Sequence, residues 1–136
     1  MKVKLTKGAR MPTKSREGDA GYDFFILEDV EIEPHSTATI DTGVCVELPE
    51  GYAGCFAMRS SVCRCGLIMQ QPLIDGNFRG ELRAIIYNPT DYSVRLSKGS
   101  RAFSLFVFPV YSGELEQVDE LSPTERGESW SGSSGK

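Results

Sequence analysis

The sequence predicts an all-β protein, a barrel or a jelly roll, and three observations carry that reading. Apolar and polar residues alternate in many short runs. Turn residues punctuate those runs at roughly ten-residue intervals. No stripe of 3.6-residue period is sustained anywhere along the 136 residues. That length suits one domain with a modest core.

Residues 1–18 are basic and polar and end in Arg16-Glu17-Gly18. A strand opens over Asp19-Ala20-Gly21-Tyr22-Asp23-Phe24-Phe25-Ile26, where Asp23 interrupts an aromatic run. Residues 30–33 and 37–42 alternate, with Pro34-His35 between them, and residues 44–48 form a further strand closed by Pro49-Glu50-Gly51-Tyr52. Residues 53–57 continue the β pattern, and one short helix fits residues 61–65. Leu67-Ile68-Met69 and residues 82–87 flank a hairpin centred on Leu73-Ile74-Asp75-Gly76-Asn77-Phe78-Arg79-Gly80-Glu81, whose Gly-Asn pair tolerates the positive φ of a tight turn. After the Asn88-Pro89 turn, residues 93–96 alternate, Lys98-Gly99 turns again, and residues 102–110 make a long apolar strand. This β unit spans residues 1–110.

Residues 111–136 change character. They are polar, rich in Ser, Gly and Glu, and nearly without core-forming side chains after Leu121. Such composition reads either as a disordered tail or as an arm that orders over a phosphate. Arg126, Gly132, Ser133, Ser134 and Lys136 favour the arm, because glycine amides, hydroxyls and cationic side chains are all anion donors. Trp130 sits among them with no evident core to join. At about 3.3 Å per extended residue, such a segment is long enough to reach a neighbouring subunit.

Composition narrows the function. The net charge of −4 removes general electrostatic attraction to nucleic acid, so a polyanion would have to be held locally. No apolar run reaches the ~18 residues of a membrane span. The amino-terminal residues lack the apolar core of a signal peptide, and a cytoplasmic protein is expected. The cysteines, Cys45, Cys55, Cys63 and Cys65, lack zinc-ligand spacing and read as reduced thiols, Cys45 and Cys55 as small core residues.

The chemistry concentrates in five segments. Asp75 stands where an apolar strand enters a turn, placed to face a cleft. Ala20-Gly21-Tyr22-Asp23 brings a second carboxylate. Arg59-Ser60-Ser61 sits at a strand-to-helix turn, where free amides and a guanidinium suit phosphate. Gly99-Ser100-Arg101 begins the last strand, and the tail is the fifth segment.

Taken in chain order, with the Asp75 segment third, these segments resemble the five motifs of trimeric dUTP pyrophosphatases (dUTPases), from about Ala20 to Gly135. The resemblance implies a β jelly roll (β-clip-like) that forms a homotrimer, each site closed by an exchanged carboxy-terminal arm. It implies hydrolysis of dUTP to dUMP and pyrophosphate with Mg²⁺ on the triphosphate. By position, Asp75 would activate the attacking water. Phe78 would lie under the deoxyribose in place of the usual tyrosine. Gln70 and Leu73 would belong to the hairpin that reads the base. Arg59, Ser60 and Ser61 would bind phosphates, as would Arg126, Gly132, Ser133 and Ser134, while Trp130 would cover the base. Asp23 would hold the ion through water.

Departures from the pattern set the alternatives. Ser104 occupies the place of a phosphate-binding glutamine, Pro72 that of a glycine in the base hairpin, and the arm's stacking aromatic falls at Ser131, one residue after Trp130. The related dCTP deaminases carry a catalytic glutamate where this chain has Ile85. The competing readings are a pyrophosphatase preferring another deoxynucleotide, such as dCTP, and a weakly catalytic nucleotide-binding regulatory module.

Overall fold

A computed structural model describes residues 1–6, 8–70, 73–125 and 127. Among them ten strands and one short helix form two four-stranded antiparallel sheets and a two-stranded ribbon, an all-β jelly-roll arrangement. The first sheet has the order β1 (Lys2–Leu5), β4 (Thr37–Glu47), β8 (Glu81–Tyr87), β6 (Ile68–Gln70). The second runs β2 (Tyr22–Phe25), β10 (Arg101–Pro109), β5 (Tyr52–Met58), β7 (Leu73–Ile74). The ribbon pairs β3 (Val30–Ile32) with β9 (Val94–Leu96), and helix α1 is a single turn, Ser60–Cys63.

The core lies where the inward faces meet. On β8, Leu82, Ala84 and Ile86 are buried while the residues between them face outward, the period-two pattern of a strand with one covered face. Phe24, Phe56 and Phe103 come from three adjacent strands of the second sheet. Phe24 meets Phe56 edge-on at 5.0 Å between ring centroids, and Phe56 meets Phe103 at 5.4 Å. That edge-to-face geometry suits the ring quadrupoles.

Four local expectations are corrected. Residues 37–42 and 44–48 are one strand with a bulge, because Gly43 takes a φ of 67° and gives its amide to the Glu81 carboxylate at 2.7 Å. Asp41 faces Arg83 and Cys45 faces Glu81, so three residues of β4 stand against Leu82 alone. The expected central hairpin is a crossover: β7 pairs with β5 in the second sheet, whereas β8 pairs with β4 and β6 in the first. The amino-terminal segment contributes β1, whose Lys2-Val3-Lys4-Leu5 alternation is a strand signal. Cys45 and Cys55 are half-buried on outward positions rather than in the core, and all four thiols are unpaired.

Asn88 locks the ribbon to this frame. It is fully buried, its Nδ2 donates to the carbonyls of Ile32 (2.9 Å), Glu33 (3.2 Å) and Tyr92 (2.8 Å), and its Oδ1 accepts from the Thr90 amide and hydroxyl. No apolar side chain meets those demands. Asn88→Ala should lower unfolding free energy by roughly 2–4 kcal/mol in urea melts, through orphaned buried carbonyls.

Candidate active site

Two clusters carry the polar side chains that folding does not explain. The first is the crossover between the sheets. Strand β7 ends at Ile74, and Asp75 follows as an exposed residue whose carbonyl accepts the Phe78 amide at 3.1 Å. The turn is pressed onto β5: a Cβ on Gly76 would lie 2.4 Å from the Tyr52 carbonyl oxygen. Only glycine permits that approach. Arg79 closes the turn by donating to the carbonyls of Gly76 (2.8 Å) and Phe78 (2.9 Å). The Phe78 ring, 43% exposed, folds over Gly80, where a Cβ would meet its Cζ at 2.5 Å.

This crossover forms one wall of a cleft of about 390 Å³. Leu73, Asp75 and Phe78 line it together, facing Thr39 of β4 and Arg83 of β8. Ile85 lines it too, so the position at which deaminases carry a proton-shuttling glutamate here presents a hydrocarbon. Glu81, also on the wall, is committed to the Gly43 amide and to Arg83, which itself pairs with Asp41 at 2.8 Å. Asp75 takes no part in those pairs.

The second cluster surrounds Asp23. Its side chain is 6% exposed, on β2 between β10 and an isolated bridge to Thr13. Oδ1 accepts the Ser104 hydroxyl at 2.9 Å. Oδ2 accepts Ser15 Oγ at 3.1 Å, Arg101 Nη1 at 3.2 Å and, closest of all, Arg59 Nη1. Arg101 Nη1 also donates to Ser15. Burial pushes the Asp23 carboxyl upward, but hydrogen bonds from Ser104, Arg59 and Ser15 and the Arg59 charge outweigh it, holding the group below the usual carboxylate range. Arg59 flanks α1, on whose first turn Ser60 and Ser61 lie exposed with amides that have no acceptor within the helix.

Of the residues singled out by sequence, Leu73, Asp75 and Phe78 come together in one cleft. Asp23 and Arg59 meet in the other cluster, beside Ser60 and Ser61, and none of these four lines the cleft next to Asp75. Gln70 is exposed at the end of β6, opposite Ile85. Arg126, Trp130, Gly132, Ser133 and Ser134, like Gln71 and Pro72, lie outside the described residues. Sequence reasoning missed Ser15, which carries no motif, and the pairing of Arg101 with Asp23.

The described residues do not fit a resident metal. Among the described residues no group of three or more His, Cys, Asp or Glu side chains is gathered. The Asp23 carboxylate is occupied by two guanidinium groups and two hydroxyls. An ion that arrives on a triphosphate belongs to the substrate.

A depressed carboxyl stabilises the fold above its unfolded pKa of about 4, and that contribution is lost as pH falls through the lower folded value. The stability gap between the parent chain and Asp23→Asn should therefore hold from pH 7 down to about 4 and shrink below it. Urea melts over that range check it.

Residues 7–135 match the family model described as dUTPase. Deoxyuridine 5'-triphosphate nucleotidohydrolase of Paramecium bursaria Chlorella virus 1 is 35% identical over 133 residues, covering 97% of this chain and 94% of that protein. The enzyme of the same name from Cutibacterium acnes is 40% identical over 129 residues, covering 92% and 85%. Among solved structures, the dUTPase of Staphylococcus bacteriophage 80alpha with dUpNHpp superposes with a TM-score of 0.92 at 37% identity, covering 99% of this chain and 98% of that one. This chain belongs to the dUTPase family.

Proposed function

We propose that this chain hydrolyses dUTP, taken up as its magnesium complex, to dUMP and pyrophosphate, removing a precursor of uracil in DNA and supplying dUMP. The observation that carries the reading is the crossover of a dUTPase-family chain, which sets Asp75 beside Leu73 and Phe78 in one cleft. Asp75 takes a proton from a water molecule whose oxygen attacks the α-phosphorus. The bond from that phosphorus to the bridging oxygen breaks, and pyrophosphate leaves with its electron pair. The protein's contribution is positioning and charge stabilisation, as in phosphoryl transfer generally. Phe78 supports the deoxyribose with its ring face, which leaves no room for a 2′-hydroxyl, and Gln70 and Leu73 border the base. Arg59, Ser60 and Ser61 receive the phosphates.

The working site is shared between copies of the chain, in a homotrimer. Two observations support this. The Arg59 cluster and Asp75 do not share a cleft within one chain. Beyond β10, Tyr111, Leu115 and Leu121 are 84%, 95% and 87% exposed, too much apolar surface for a segment serving only its own chain. We assign residues 1–110 to the jelly-roll domain and 111–136 to an arm that crosses to a neighbour, bringing Arg126, Trp130, Gly132, Ser133 and Ser134 over the nucleotide. The four unpaired thiols suit a reducing compartment, and the reaction is placed in the cytoplasm, a host's if the chain is viral.

Asp75→Asn should bind the non-hydrolysable dUpNHpp normally yet lose at least ~100-fold in kcat, the scale of a positioned general base. Pyrophosphate release from dUTP checks it, and near-parent turnover overturns the assignment. Truncation before Arg126 should leave the fold intact and abolish activity. Mixing that truncate with Asp75→Asn chains, followed by refolding together, should restore part of the activity, because hybrid assemblies contain sites with an intact carboxylate and an intact arm. No recovery would count against a shared site.

A further inference from the structure

Arg79 uses its side chain in an unusual way for an exposed arginine. A surface guanidinium is ordinarily left to water or to a carboxylate. Glu47 borders the same grooves as Arg79, but it is taken by Lys2 at 2.7 Å. Arg79 turns back on its own chain instead. A single nitrogen, Nη1, donates to the Gly76 carbonyl at 2.8 Å and to the Phe78 carbonyl at 2.9 Å. That nitrogen carries two hydrogens, one for each acceptor.

Those carbonyls belong to the turn that sets Asp75. The turn closes with the Phe78 amide on the Asp75 carbonyl at 3.1 Å, and Gly76 is seated against Tyr52. By joining the carbonyl that follows Asp75 to the carbonyl of Phe78, Arg79 ties the proposed general base to the proposed sugar platform. It does so from behind. Its side chain borders one groove with Val46 and Glu47 and another with Pro49, Tyr52 and Asn77, whereas it is not among the residues lining the cleft that holds Asp75 and Phe78. The place of the Asp75 carboxylate is inherited from this turn's backbone, and a misplacement of ~1 Å in a reacting group can cost ~100-fold in rate.

We infer that Arg79 is a positioning residue for Asp75: its bridge across two carbonyls fixes the carboxylate relative to the Phe78 ring from the side of the turn away from the cleft. The inference rests on the proposed role of Asp75, and its test separates the two.

Pyrophosphate release from dUTP is measured for the parent chain, Asp75→Asn, Arg79→Met and the double variant, with single-turnover quenching for the slow ones. Arg79→Met keeps an aliphatic stem and removes every donor. It should lower kcat by about 10- to 100-fold and leave KM and the calorimetric affinity for dUpNHpp within about threefold, with the urea midpoint unmoved. Arg79→Lys, which retains a donor for the carbonyls, should recover part of kcat. The double variant should be as slow as Asp75→Asn alone, within about twofold, because a positioning group then has no base left to position. Parent-level kcat in Arg79→Met, a loss confined to KM, or an equal further loss in the Asp75→Asn background would each overturn the inference. Unfolding of Arg79→Met at the assay temperature would overturn it as well, by making the residue structural. An inactive parent, or an Asp75→Asn variant as fast as the parent, would refute the reading beneath it and the inference with it.

Discussion

Everything specific about the cleft depends on one constraint: between Ile74 and Glu81 the chain must leave one sheet and enter the other. Strand β7 is hydrogen-bonded to β5, and β8 is hydrogen-bonded to β4 and β6. Six residues make the passage, too many for a two-residue turn and too few for a free loop. They are held by contact at both ends, Gly76 against the Tyr52 carbonyl and Phe78 against Gly80, with Arg79 stitching the carbonyls between. The result is a carboxylate that is exposed yet mounted on a rigid base. A loop with freer ends would let Asp75 wander, which would undo the positioning that the proposed mechanism asks of it.

The charge distribution resolves an apparent conflict. A chain of net charge −4 is a poor general attractor of polyanions. Placing Asp23 beneath Arg59 and Arg101 concentrates positive charge locally without making the whole molecule basic. The arrangement also avoids an uncompensated buried charge, since the carboxylate that holds the arginines is itself satisfied on both oxygens. On the opposite sheet, Lys2 pairs with Glu47 and Arg83 with Asp41.

Much of this was legible in the residues, because alternation reports burial directly. The outward positions of β8 and the aromatic run around Phe24 follow from pattern alone, and Leu73, Asp75 and Phe78 were close enough in sequence to be placed together. What escaped depends on distant partners. Gly43 reads as a break until the Glu81 carboxylate is seen to take its amide. Asp23 and Arg59 each stood out, but their pairing, and the part of Ser15 and Ser104 in it, spans separations of 8 to 81 residues. The Gly-Asn pair correctly marked a turn; it held no record of which sheet the chain would join afterwards.

The packing of Phe78 on Gly80 has a consequence for how this pocket can change over generations. A Cβ at position 80 would stand 2.5 Å from the far end of the Phe78 ring, which lines the cleft, so the ring would have to shift. Variation at that glycine is therefore read out in where the Phe78 ring lies along the cleft wall.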